Sequence, residues 1–330
     1  LVKPVGILVN PASGKDVRRL VARASVFDNR EKAAIVRRAL TGAVEAGARE
    51  FCYFADSHQI AASALQEIDS QHPISSQAVA KAENGRAEDT TAAAQAMRQA
   101  DCGPVLVLGG DGTSRAFVKG WRDAMILPLS TGTNNVFPAF AEATIAGAVV
   151  GLVAAGGMDA EAVARQTKII EISIEGEDPD IALIDAVVTT QQFIGSKALL
   201  DPEALRLVVL SRADPAAPGM TSIGGLVSPI TDTDDVGLSI KLGEGAHRVR
   251  APIAPGLFHT LRYDHVRQLA LGEVVSVEGP CILACDGERE RVIKAHQIVQ
   301  MRVMRRGPYL IDVGCVMNIA AEKKYFIRAG

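Results

Sequence analysis

Aromatic residues are scarce in this chain of 330 residues: one tryptophan, four tyrosines and nine phenylalanines make up 4% of it. With 48% of residues apolar and 30 glycines, its core must be built from close-packed small and aliphatic side chains. An excess of positive charge is also missing. Lys and Arg total 35 against 38 Asp and Glu, spread along the chain, so there is no basic surplus to release counterions from nucleic acid, and nucleic acid is not expected as a partner. The five cysteines, Cys52, Cys102, Cys281, Cys285 and Cys315, are odd in number and lack Cys-x-x-Cys spacing. That argues against a disulfide framework or a zinc site and fits a reduced cytoplasm. Cys281 and Cys285 are expected on one face of a strand rather than as a chelating pair. No apolar run reaches the ~20 residues needed to cross a bilayer. The nearest, Ala143 to Gly157, reads as a packed helix, and integral membrane association is not expected. The opening Leu1-Val2-Lys3-Pro4 lacks the regions of a signal peptide, so nothing marks the chain for export. Six histidines are scattered without ligand spacing, and His259 and His265, flanking Tyr263-Asp264, are expected at a turn or helix end.

What is present is an alternation of short aliphatic runs with polar-faced helical segments over residues 1–160. Val5 to Val9, Glu50 to Ala55, Gln77 to Lys81 and Pro104 to Leu108 read as strands. Asp16 to Arg23, Arg30 to Ala46, Gln59 to Ser70 and Ala87 to Gln99 read as helices. This predicts a Rossmann-like α/β domain, a parallel sheet with helices on both faces and ligands beyond the carboxyl ends of the strands. Residues 161–330 change to short alternating strands between Gly and Pro turns, among them Gly237 to Lys241 and His247 to Pro252, which predicts an all-β, sandwich-like second domain. The last stretch, Tyr309 to Arg328, is free to return to the first domain.

Three strand-to-turn junctions carry the chemistry. A buried strand delivers Gly109-Gly110-Asp111-Gly112-Thr113 to a turn, with a short helix expected from Ser114 to Gly120. Glycines let the backbone approach a phosphate, and the N–H groups of a helix start attract an anion. Asp111 suits either proton acceptance from an attacking hydroxyl or magnesium binding, while a plain Gly-Gly-Asp-Gly turn would explain the same residues. A second apolar strand ends in Thr131-Gly132-Thr133-Asn134-Asn135, whose hydroxyls and amides suit phosphate, ribose or base edges. The first strand ends in Asn10-Pro11-Ala12-Ser13-Gly14-Lys15, where Asn10 ranks above Lys15 as a ligand contact because the spacing is not that of a Walker A loop.

In this order the three motifs resemble the superfamily that joins NAD kinases with diacylglycerol and sphingosine lipid kinases. The phrase Ser130 to Pro138 is similar to an acetoin-catabolism branch grouped with the NAD kinases. The resemblance implies a nucleotide site in a cleft between the two domains, with ATP and magnesium as cofactors. Asn10, Gly109, Gly110, Gly112, Thr113, Thr131, Gly132, Thr133, Asn134 and Asn135 would bind nucleotide and Asp111 would act as base. It also sets Asp286-Gly287-Glu288 beside the Asp-Gly-Glu turn of lipid kinases, making Glu288 a second catalytic candidate and Asp286 a substrate contact. By itself Asp-Gly between alternating strands is a common hairpin turn. The chain departs from NAD kinases where an Asn-Glu pair holds the dinucleotide. Here Ile184-Asp185 stands in that place, keeping Asp185 as a substrate-binding carboxylate but removing the amide. The resulting expectation is an ATP-dependent kinase acting on NAD or a related small metabolite. A lipid or polyol kinase and a non-catalytic nucleotide-binding accessory or sensor protein are the alternatives. Exposed sheet edges in the second domain favour a homo-oligomer.

Overall fold

The fold follows from how the aliphatic runs are buried. The computed structural model describes residues 2–14, 28–131, 135–138, 141–190 and 203–327, with backbone alone at 288–290. In chain order the first part contains β1 (Val5–Val9), α1 (Asn29–Glu45), β2 (Glu50–Ala55), α2 (Ile60–Asp69), β3 (Ser75–Lys81), α3 (Ala87–Gln99), β4 (Val105–Gly109), α4 (Asp111–Gly120), β5 (Met125–Ser130) and α5 (Ala143–Ala154). Next come α6 (Ala160–Val163), β6 (Ala164–Gln166), β7 (Ile169–Ile174), β8 (Asp180–Ala182), β9 (Asp185–Thr189), β10 (Leu205–Leu210), α7 (Met220–Val227), β11 (Val236–Ala254) and β12 (Leu257–Ala270). The chain finishes with β13 (Val274–Glu278), β14 (Cys281–Cys285), β15 (Glu288–Ile293), β16 (Ile298–Met304), β17 (Tyr309–Ile311) and α8 (Val313–Glu322).

The first sheet has the order β3-β2-β1-β4-β5-β17-β6, parallel except for β6. Every residue of β1 and β4 is buried, as expected of central parallel strands covered on both faces. Helices α1, α2, α5 and α8 cover one face and α3 and α4 the other. Order reverses between β1 and β4, which makes their carboxyl ends the topological switch point. The Ala- and Gly-rich run packs as α5 against α1 at backbone contact: a Cβ on Gly147 would sit 1.8 Å from the Ala39 carbonyl oxygen. A core poor in aromatics is filled by bringing backbones together instead.

The second part is a sandwich of antiparallel sheets, β12-β11-β10-β9-β14-β15 against β13-β16-β7-β8. Ile170, Ile172, Val209, Leu283, Val299 and Met301 lie in the core between them. The two parts share an apolar cluster in which Ile169, Ile181, Leu183 and Ile184 join Phe117, Ile126 and Phe137.

Three local expectations change. Helix α4 starts at Asp111 rather than Ser114, because Gly110 takes the extended N-cap conformation and the helix begins inside the motif. The two strands expected at Gly237 to Lys241 and His247 to Pro252 are one strand, β11. Its register slips between Leu242 and His247, where Gly243 and Gly245 have φ of 100° and 150°, so residues that read as a turn form a bulge. His259 to His265 is not a turn or helix end but part of β12, an edge strand whose many polar side chains hide its alternation. The helix expected at Asp16 to Arg23 lies outside the described residues.

Candidate active site

Three loops meet at the switch point. The Asn10 side chain donates from Nδ2 to Thr113 Oγ1 at 2.8 Å, tying the loop after β1 to the first turn of α4. Thr131 Oγ1 donates to Ser13 Oγ at 3.0 Å, and the Thr131 N–H reaches the Gly109 carbonyl at 3.3 Å, tying in the loop after β5. Asn135 Nδ2 donates to Ser130 Oγ at 2.9 Å. Close approach, not positive φ, explains the glycines here. A Cβ on Gly109 would lie 2.5 Å from Thr113 Cβ, and one on Gly110 would lie 2.8 Å from Asn135 Oδ1. Gly112 sits half-buried in the first turn of α4. Asn10, Gly109, Gly110, Gly112, Thr113, Thr131 and Asn135 are thus brought together. Gly132, Thr133, Asn134 and Lys15 lie outside the described residues.

Asp111 occupies the helix start. Its carboxylate accepts the Val136 N–H at 3.1 Å and the Phe137 N–H at 2.8 Å. Burial pushes its carboxyl up to about 7 against the opposing pull of those donors, and the negative charge of Asp286 from the second part adds to the rise. The Arg212 guanidinium, from the loop after β10, pulls the other way. Arg212 Nη2 also donates to the Val136 carbonyl. One peptide unit on either side of Val136 therefore links an acid of the first domain to a base of the second.

Asp286 takes a different place from that of a residue pointing at solvent. It and Gly287 have φ of 50° and 68°, the left-handed pair of a type I′ hairpin between β14 and β15. Its buried carboxylate accepts the N–H groups of Leu183, Ile184 and Asp185 at 2.7 to 3.2 Å. Asp185, the first residue of β9, is buried beside it, and its carbonyl accepts the Asp286 N–H at 3.0 Å. Ile184 turns its side chain into the shared apolar cluster. Glu288 opens β15, and its side chain lies outside the described residues.

Two basic residues that sequence reasoning passed over hold this arrangement. Lys32 of α1 is fully buried and donates to the carbonyls of Asn10, Pro11 and Ser13 at 3.1, 2.8 and 2.6 Å, shaping the first loop from behind. Arg115, one turn after Asp111 on α4, pairs with Asp180 at 2.8 Å, donates to the Ile181 carbonyl at 2.5 Å and lies 3.9 Å from Asp286. Arg115 and Asp180 are each 4% exposed in their side chains, so this is a buried ion pair joining the two domains. Its one sequence signal was an arginine two residues after the glycine motif. Lys32 had none.

Comparison with known proteins follows this geometry. Residues 5–157 match the ATP-NAD kinase N-terminal domain, and residues 168–306 match the acetoin catabolism protein X C-terminal domain. Acetoin catabolism protein X of Cupriavidus necator is 34% identical over 96% of this chain and 92% of its own length. The chain belongs to the acetoin catabolism protein X family. Among solved structures, yeast NADH kinase complexed with NADH superposes with a TM-score of 0.54 at 12% identity, covering all of this chain and 89% of that one. An NAD kinase from Archaeoglobus fulgidus in complex with ATP gives 0.41 at 11% identity, over 84% and 98%. The α/β domain followed by antiparallel sheets is therefore an NAD kinase-like fold. Among the described residues, no helix is long and apolar enough to cross a membrane and no group of three or more His, Cys, Asp or Glu side chains is arranged to hold a metal ion.

Proposed function

We propose that this protein is a phosphotransferase that moves a phosphoryl group from ATP to a hydroxyl of NAD or a related small metabolite, with Asp111 as the base. The observation that carries this reading is the Asp111 carboxyl at the start of α4, at the switch point where the loops bearing Asn10, Thr113, Thr131 and Asn135 are tied together; its burial, which pushes the carboxyl up to about 7, suits a base near neutral pH. In the transfer, the acceptor hydroxyl gives its proton to Asp111 while its oxygen bonds to the γ-phosphorus. The bond from that phosphorus to the bridging oxygen breaks, and ADP leaves.

The loops fit a phosphate chain. The Gly110 backbone lies where a Cβ would strike Asn135, α4 begins at Asp111 and so offers the N–H groups of its first turn to an anion, and Arg212 reaches the neighbouring loop at the Val136 carbonyl as a counter-charge. Magnesium bound with the nucleotide would neutralise phosphate charge. It needs only one or two protein carboxylates, and Asp111, at the start of α4, is the candidate in the glycine loop. A relative is named acetoin catabolism protein X, and we extend a role in acetoin catabolism to this chain, together with a cytoplasmic location and a homo-oligomeric state. With Ile184 buried in the cluster, the acceptor's ribose would be held without a side-chain amide at that position.

A second reading, nucleotide binding without turnover, is favoured by one feature: both Asp111 oxygens accept backbone N–H groups. Incubation with ATP and magnesium and, separately, NAD, NADH, acetoin or diacylglycerol, followed by mass spectrometry, separates the two. A phosphorylated product formed by the wild type and not by Asp111→Asn supports transfer. ATP binding with no product from any acceptor supports the second reading, and full turnover by the variant removes Asp111 as base.

A further inference from the structure

Arg212 is engaged differently from the other basic residues around Asp111. Lys32 is caged by three carbonyls and Arg115 is paired with Asp180. Arg212, half-buried on the loop after β10, donates from Nη2 to the Val136 carbonyl and, among the described residues, meets no carboxylate at ion-pair distance. Its Nε is buried without an acceptor among those residues. A guanidinium carries five N–H donors in a planar fork, so one neutral carbonyl leaves most of that capacity unused.

The carbonyl it holds belongs to the peptide plane that also holds Asp111. The Val136 C=O and the Phe137 N–H are opposite ends of one trans peptide unit and point in opposite directions. Arg212 donates to the oxygen at one end, while at the other the Phe137 N–H donates to Asp111 Oδ1 at 2.8 Å. The Val136 N–H, from the preceding unit, reaches both carboxylate oxygens at 3.1 Å. The Phe137 plane is thus clamped at two ends. Positive charge at its carbonyl strengthens its N–H as a donor, and that N–H occupies a lone pair an acceptor hydroxyl would use. Turning the plane breaks both contacts together and requires changes only in ψ of Val136 and φ of Phe137. The Phe137 side chain, 4% exposed and packed in the cluster of Phe117 and Ile126, anchors the residue through such a turn.

What competes with the clamp lies beside it. Helix α4 begins at Asp111 with no side chain capping its first-turn N–H groups, and the Arg212 charge is near enough to pull on the Asp111 carboxyl. An anion drawn to those N–H groups comes within the field of Arg212, and phosphate oxygens accept forked, charge-assisted hydrogen bonds that a carbonyl cannot match. We propose that Arg212 is a positioning residue that keeps Asp111 covered until a phosphate-bearing ligand draws its guanidinium off the Val136 carbonyl, releasing the peptide plane and freeing an Asp111 lone pair for the acceptor hydroxyl. Nucleotide therefore binds before acceptor, and the double occupancy of Asp111 belongs to the unliganded protein. The inference rests on the glycine loops being a nucleotide site and on no particular acceptor.

The test follows the Phe137 amide by hydrogen exchange in NMR of the full chain, with magnesium pyrophosphate as ligand and no acceptor, so that turnover plays no part. Saturation with pyrophosphate should speed exchange at Phe137 by about ten-fold or more, the size expected for losing one hydrogen bond to a charged group, while the amides of Gly112 and Thr113 slow. Arg212→Met should exchange Phe137 that fast without ligand and change no further when pyrophosphate is added. An unchanged melting temperature excludes unfolding of the variant, and the wild-type comparison decides alone if that temperature falls. Pyrophosphate binding in calorimetry with a Phe137 amide as slow as before, or slower, would overturn the inference and leave the nucleotide reading standing. A folded Arg212→Met protein as protected at Phe137 as the wild type would do the same. No binding of pyrophosphate or of ATP would remove the nucleotide reading and the inference with it.

Discussion

Replacing Asp111 by Asn should remove turnover and, at the same time, make the protein less sensitive to alkaline pH. The carboxyl titrates near 7 in the folded chain and near 3.8 as the ordinary value, because burial disfavours its charge. With the folded pKa raised, the folded state binds the proton more tightly than the unfolded one. This group's stabilisation is therefore fully present below about pH 4 and is lost as pH rises through about 7. At 1.36 kcal/mol per unit, the loss between pH 5 and pH 8 is ~3 kcal/mol. Asn retains an oxygen for the Phe137 and Val136 N–H groups but carries no titrating group, so its loss of the second oxygen's contact with Val136 is a constant offset of at most about 1 kcal/mol. Urea denaturation of both proteins at half-unit steps from pH 5 to pH 8 would read this directly. The difference between variant and wild type should move in the variant's favour by ~3 kcal/mol across the range. Parallel curves would refute the burial argument, and with it the reason for assigning Asp111 the role of a base.

The same titration predicts that kcat/KM for phosphoryl transfer rises about ten-fold per pH unit below 7 and levels off above it, a profile that rate measurements at saturating ATP would check. Asp286→Ala should cost about 3 to 5 kcal/mol in denaturant unfolding, since it strands three buried N–H groups and removes a counter-charge near Arg115. A cost under about 1 kcal/mol with loss of turnover would instead mark Asp286 as a substrate contact. Lys32→Met should weaken ATP binding in calorimetry by roughly ten-fold, because three loop carbonyls lose their shared donor. Unchanged affinity would show that the loop holds its shape without it. Arg115→Leu should lower unfolding stability by about 3 to 5 kcal/mol by leaving Asp180 and Asp286 short of a buried counter-charge, and a neutral effect would show that Lys119 and Arg291 suffice.

The alternation of buried strands with helices was legible because central parallel strands are continuous aliphatic runs, as Val5 to Val9 and Val105 to Leu108 are. The convergence of Asn10, Asp111 and Thr131 followed from that topology, since strands neighbouring in a parallel sheet present their carboxyl ends side by side. Charge burial was not legible. Nothing local distinguishes Lys32, caged by carbonyls, from the exposed lysines elsewhere, nor Arg115 from a solvated arginine on a short helix, because each is buried by residues distant in sequence. β12 was missed for the converse reason: an edge strand with one open side carries charges and histidines that mask its period of two.

Asp286-Gly287 shows how two readings of one dipeptide combine. A hairpin turn and a kinase motif are alternative readings of this dipeptide in sequence, yet the turn geometry is what delivers the carboxylate to the N–H groups at the start of β9. A left-handed φ at Asp286 goes with a side chain that reaches the neighbouring strand, so the residue that makes the turn also fixes the backbone of Ile184 and Asp185 at the start of β9. Burial raises the carboxyls of both acids, but Asp286 is held by three N–H groups and Asp111 by two. If the proposed phosphoryl transfer holds, that difference in occupancy is the reason to expect the proton at Asp111 rather than at Asp286.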